Sequence, residues 1–99
     1  MSRQTVRVIA LFKAKPGKTA ALKDFLTQFI EPTLKEKGCI QYELHQNTAD
    51  ESDFCFIEEW ESHETLDAHL ASPHITKAAP LLGSYILGNP DIRRYTLSK

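Results

Sequence analysis

Ninety-nine residues, 41% hydrophobic and 25% charged, fit a single globular domain with one modest core. Twelve Lys and Arg against thirteen Asp and Glu leave a formal charge of −1, which excludes the cationic surface that duplex nucleic acid demands. No apolar run approaches the roughly 20 residues that span a bilayer. Charged Lys13 closes the short N-terminal apolar run and no small-residue cleavage site follows, so no leader or membrane anchor is expected and the chain reads as cytoplasmic.

Residues Thr5–Lys13 are rich in β-branched and large apolar side chains and predict a first strand. Val6, Val8, Ala10 and Phe12 fall on one face, while Ile9 and Leu11 make the other face apolar as well. Lys15-Pro16-Gly17-Lys18 is a turn by composition. From Thr19 to Lys37 the period becomes helical, with Leu22, Phe25, Leu26, Phe29, Ile30 and Leu34 on one stripe. Pro32 lacks the N–H that would reach Gln28, so a kink is expected there. Lys35, Lys37 and Gly38 suit a helix C-terminus.

Cys39–Asn47 alternates as a second strand, with Ile40, Tyr42 and Leu44 sharing a face. After the polar turn Thr48–Asp53, the third strand Phe54–Glu61 puts Phe54, Phe56, Glu58 and Trp60 together, with Cys55 and Ile57 opposite. Ser62 is a good N-cap and Glu64 suits the first turn of the helix it opens, whose inner stripe carries Leu66, His69 and Leu70. Ser72-Pro73 restarts that helix, and Ile75, Ala78, Ala79 and Leu82 continue it despite Pro80. A loop at Gly88-Asn89-Pro90 leads to a last strand, Ile92–Leu97.

The order β-α-β-β-α-β predicts a ferredoxin-like α+β fold, a four-stranded antiparallel sheet with both helices on one face. Two helices cover one face only, yet the first and third strands are apolar on both. A second copy of the chain is the expected cover, giving a homodimer of stacked sheets. In a hairpin turning near Ala49–Glu51, Cys55 falls opposite a residue near Gln46, about seven residues from Cys39. That is roughly 23 Å at about 3.3 Å per residue, too far for a disulfide, so both thiols are expected to be free.

Chemistry concentrates between Phe54 and His74. Trp60, in phase with Phe56, either stacks on a planar substrate or fills core. Glu58 lies between two aromatics, where a carboxylate must be paired; an arginine such as Arg93 or Arg94, a helix N-terminus or a catalytic role would each satisfy it. His69 faces the sheet, either as a satisfied core histidine or as a base for a phenol, helped by strong hydrogen bonding. His74, five residues on and past a proline, is a weaker candidate, and His63 and His45 look exposed. Spacings of six and five among His63, His69 and His74 do not align ligands on one helix face, so no metal site is expected. Inward-facing Tyr42 could donate to a substrate oxygen or simply pack.

These pieces together resemble the antibiotic biosynthesis monooxygenase domain family of dimeric α+β barrels. The resemblance rests on Pro16-Gly17-Lys18, Gly38-Cys39-Ile40-Gln41-Tyr42, Glu58-Glu59-Trp60-Glu61-Ser62 and His69-Leu70-Ala71-Ser72-Pro73-His74, and covers about residues 5 to 97. The arrangement around Trp60 and His69–His74 is especially similar to the bacterial quinol monooxygenase branch. The resemblance implies oxygenation of a phenolic or quinol substrate by dioxygen without flavin, haem or metal, in a pocket between helices and sheet. On that reading His69, Trp60 and Glu58 are the candidate catalytic residues and Tyr42, Phe56 and His74 the candidate substrate contacts. The chain has no GxGxxG or P-loop that would bind another cofactor. Haem-degrading relatives carry an asparagine and a haem-ligating histidine where this chain has Ala10 and about Ala79. An isomerase of anionic small molecules, drawing a cation from Arg93 or Arg94, and a non-catalytic binding or stress protein remain alternatives on the same scaffold.

Overall fold

The computed structural model describes residues 4–99; the first three residues, part of the stretch read for a leader, lie outside the described residues. Four strands, β1 (Val6–Lys13), β2 (Cys39–Gln46), β3 (Asp53–Trp60) and β4 (Asp91–Tyr95), form one sheet in the order β2-β3-β1-β4. Every neighbouring pair is antiparallel, so the fold is the expected ferredoxin-like α+β arrangement.

The alternation in β1 and β3 decides where the core lies. Val6, Val8, Ala10 and Phe12 pair across the sheet with Trp60, Glu58, Phe56 and Phe54, and all eight are buried. Leu22, Phe25 and Leu26 of α1 (Thr19–Thr27) and Leu66 of α3 (His63–Leu70) close over that face. On the opposite face Ile9, Leu11, Cys55 and Ile57 remain only partly covered.

Each of the two expected helices is broken in two. The first ends at Thr27 and resumes as α2 (Ile30–Leu34), so the break falls at Gln28–Phe29 rather than at Pro32 itself. The physical reason is the proline ring: it displaces the carbonyl four residues earlier and offers it no N–H. The second restarts at Pro73 as α4 (Pro73–Leu82), which has no fully buried residue. Its exit is tied down by an isolated bridge between Ile86 and Ala14.

One expectation on β2 needs correction. A bulge between Cys39 and Gln41 makes Ile40 the extra residue, and its side chain is 50% exposed rather than sharing the face of Tyr42. Cys55 pairs with His45, next to Gln46 as expected, while Cys39 pairs with Trp60 at the far end; both thiols are free. Among the described residues, no helix is long and apolar enough to cross a membrane.

Candidate active site

A cavity of about 250 Å³ lies between the inner face of the sheet and the helices. Val8, Ala10, Phe12 and Phe56 form its floor; Phe25, Leu66, Ala78 and Leu82 are among its walls. Among the described residues, only Tyr42, Glu58 and His69 bring polar side chains to this apolar lining. A pocket of that size and character suits a compact aromatic molecule held by a few polar contacts.

His69 is delivered by α3, whose first turn is fixed by a reciprocal cap. Ser62 Oγ accepts from the Thr65 backbone N–H, and Thr65 Oγ1 accepts from the Ser62 N–H, each at 3.2 Å. One turn beyond Thr65, the imidazole of His69 is 2% exposed. Its Nδ1 lies 2.8 Å from Oε2 of Glu36, in the turn that follows α2. Burial pushes the His69 pKa below the ordinary histidine value, and the Glu36 carboxylate opposes that shift. With Glu36 ionised, Nδ1 carries the proton and donates, which leaves Nε2 of neutral His69 as an acceptor.

Glu36 serves a second histidine. His74, at the start of α4, places Nε2 3.1 Å from the same Oε2 and 3.2 Å from Oγ1 of fully buried Thr33. The two histidine rings stand 6.0 Å apart. The donor atoms of Glu36, His69 and His74 all lie within 4.8 Å of one another, a grouping able to hold a metal ion. The spacing argument against a metal site did not reach this grouping. It considered histidines along one helix, whereas the third donor comes from a turn brought in by tertiary packing, and His63 takes no part.

Glu58 is satisfied by its neighbour but one, with Oε1 accepting from the Trp60 indole N–H at 2.9 Å. Burial raises its pKa to about 7; the Trp60 hydrogen bond opposes this and the charge of Glu36 adds to it. The expected arginine partner is not there. Arg93 pairs with Asp91, and Arg94 with Asp67 and His63, all on the exposed side. Tyr42 stacks on Phe56 with ring centroids 4.5 Å apart and meets His69 edge-on at 5.5 Å. Burial, reinforced by Glu58, holds its phenol protonated well above the ordinary tyrosine range.

Trp60 is in the cluster but not in the cavity wall. Its ring lies 4.7 Å from that of His69, and its relative exposure is 0%. Of the two readings of Trp60, the geometry favours core filling: the indole packs against His69, and its N–H is occupied by Glu58. His63 and His45 are exposed as expected. Glu36 was missed because it stands between Lys35 and Lys37 and reads as part of a solvated charge run. One signal was available, since a carboxylate at a helix C-terminus opposes the helix dipole and so calls for another partner.

The sequence profile of the family described as antibiotic biosynthesis monooxygenase matches residues 5–81. The chain belongs to that family. It is 34% identical to the probable quinol monooxygenase YgiN of Escherichia coli K12, over 69% of this chain and 75% of that protein. It is also 34% identical to the uncharacterized protein sll1783 of Synechocystis, over 88% of this chain but only 59% of that longer relative. A crystal structure of a conserved protein from Methanosarcina mazei superposes with a TM-score of 0.88 at 32% identity, covering 94% of this chain and 92% of the other. A crystal structure titled antibiotic biosynthesis monooxygenase superposes at 0.87 with 28% identity, covering 95% and 99%. Within this family fold, Ala10 and Ala79 both line the cavity, so neither position offers a haem ligand.

Proposed function

We propose that the protein is a monooxygenase that oxidises a quinol or related polyphenol with dioxygen, the substrate itself supplying the electrons. The observation that carries this reading is the 2.8 Å pairing of His69 with Glu36 at the wall of an apolar cavity. Nε2 of His69 takes the phenolic proton, and the Glu36 carboxylate stabilises the imidazolium that forms. Glu58, which retains a proton up to about pH 7, donates a hydrogen bond to the phenolate oxygen, as Tyr42 can from the sheet side. The electron-rich anion passes an electron to dioxygen, and the radical pair combines at a ring carbon to form a carbon–oxygen bond. His69 returns its proton to the peroxide. The O–O bond then breaks, the ring hydrogen is lost, and water leaves with a new carbonyl on the ring. Quinol and dioxygen thus give a hydroxyquinone and water, with no external reductant and no flavin or haem. The protein supplies positioning, desolvation and charge stabilisation.

Oxygen uptake with substituted hydroquinones tests this directly. The expected result is consumption above the autoxidation blank, with stoichiometric hydroxyquinone and no release of hydrogen peroxide. Uptake equal to the blank across one- and two-ring quinols rejects it. A protein that only binds and stores the molecule would show saturable binding without turnover. An isomerase of anionic substrates is disfavoured by the lining, because Arg93 and Arg94 are engaged outside the cavity.

The same reading places the protein in the cytoplasm as a homodimer of stacked sheets. Support comes from the two free thiols and from the half-covered Ile9, Leu11 and Ile57 on the outer face. All five residues of β4 are exposed, and among them Ile92 reaches the cavity, so a partner would seal the pocket edge. Sedimentation at micromolar concentration should return the mass of two chains; a single-chain mass rejects the assembly.

A further inference from the structure

The polar side of the cavity wall contains a group that proton transfer alone does not account for. One carboxylate oxygen, Oε2 of Glu36, faces two imidazole nitrogens at 2.8 and 3.1 Å. A single general base needs one orienting carboxylate and has no use for the second histidine. His74 and Thr33 are nevertheless built in, with Thr33 fully buried and its hydroxyl 3.2 Å from the same His74 nitrogen.

The geometry points to a binding site for one divalent transition-metal ion of zinc-like chemistry, held by Glu36 Oε2, His69 Nδ1 and His74 Nε2. A tetrahedral ion with bonds of about 2.0–2.2 Å separates its ligand atoms by about 3.4 Å. The two separations from Glu36 Oε2, 2.8 and 3.1 Å, need only a small spreading, and the two imidazole nitrogens lie within 4.8 Å of each other. Two imidazoles and one carboxylate suit a borderline ion and are a poor set for magnesium or calcium, which take oxygen ligands. An approach from solvent exists, because the side chains of His74 and Glu36 are 27% and 19% exposed while that of His69 is 3% exposed. Three protein donors leave a further coordination position for water.

Occupancy has a chemical consequence for the cavity. An ion on Nδ1 of His69 displaces the single ring proton from that nitrogen, and the neutral imidazole then carries it on Nε2. The nitrogen offered to the cavity changes from an acceptor into a donor. This second step rests on the monooxygenase reading, in which bound metal blocks proton uptake; the metal site itself does not.

The test uses the full chain freed of metal and titrated with Zn²⁺ against a chromophoric chelator, with Mg²⁺ as the comparison ion. One Zn²⁺ per chain is expected, with no competition from excess Mg²⁺. Glu36→Gln and His74→Ala should each weaken binding by roughly tenfold or more. His63→Ala, at an exposed histidine outside the cluster, should leave it unchanged. Co²⁺ should give the intense visible absorption of a four-coordinate site. Circular dichroism checks that each variant folds; if Glu36→Gln does not, His74→Ala at the half-exposed position still decides. Zn²⁺ affinity that both variants retain, or that His63→Ala reduces equally, overturns the site. Inhibition of quinol oxidation in step with Zn²⁺ occupancy, reversed by chelation, supports the link to catalysis. Tight Zn²⁺ binding without inhibition leaves the metal site standing and overturns the link alone.

Discussion

Oε2 of Glu36 and Nδ1 of His69 lie 2.8 Å apart although thirty-three positions separate the two residues in the chain. The contact joins the turn after α2 to the inner face of α3. It orients a buried imidazole as the proposed base would require, because the carboxylate fixes which nitrogen carries the proton. His69→Ala should lower kcat for quinol oxidation by on the order of 10² to 10⁴. Glu36→Gln should lower kcat by a smaller factor and change KM little, since the ring stays in place but loses its charge partner. Steady-state oxygen uptake checks both. A wild-type rate in His69→Ala removes the base from the scheme.

Glu58 makes stability depend on pH in a predictable direction. Its folded pKa of about 7 lies above the ordinary 4.5, so between those values the folded state holds a proton that the unfolded state has lost. Stability is therefore greatest below the ordinary value and falls as pH rises through about 7. Glu58→Gln removes the ionisation and keeps an acceptor for the Trp60 N–H. It should gain on the order of 2–3 kcal/mol over wild type at pH 8 and little at pH 4. Urea unfolding at the two pH values measures the difference; equal gains at both contradict the assignment. The same titration should bring down quinol oxidation above about pH 7, with that limb lost in the Gln variant.

Gly38 holds the two halves of the site at their distance. Its φ is +85°, and a Cβ built there would sit 2.5 Å from Cβ of Thr65, one turn before His69 on α3. Gly38→Ala should destabilise by on the order of 2–4 kcal/mol, from left-handed strain plus the displacement of α3. It should also weaken activity in the fraction that remains folded, because α3 must move away from Glu36. Chemical denaturation and single-turnover rates report the two effects separately.

The outer wall of the cavity tolerates change where the floor does not. Ala78 lines the cavity from α4, which has no fully buried residue, so Ala78→Phe can fill the space without disturbing the sheet. Substrate binding should be lost while thermal stability holds or rises. Calorimetry with a non-oxidisable quinol analogue provides the check, and wild-type affinity would place the substrate elsewhere.

The fold was legible because strand parity and helical period act over a few residues. Val6, Val8, Ala10 and Phe12 announced an inner face that the structure keeps, and Pro32 announced a break that the structure places one turn earlier. Ile40 misled because a bulge is a pairing event between β2 and β3, which alternation along one strand cannot register. The site divided along the same line. His69, Glu58 and Tyr42, which line the cavity, were legible because each points into the inner layer from its own element. Glu36 was hidden among lysines, since its partners lie on α3 and α4. For Trp60 parity gave the face but not the role: packing puts it against His69, outside the cavity lining.

The indole behind His69 is also the chain's only tryptophan. Emission excited at the red edge of protein absorption therefore comes from one fully buried chromophore, its ring 4.7 Å from the imidazole. An imidazolium quenches indole more strongly than a neutral imidazole. Intensity should thus follow the charge on His69 during titration, on adding metal ion or on turnover, while the wavelength reports whether the core is intact. The protein carries its own optical gauge of the His69 imidazole, with no label to attach and no second tryptophan to subtract.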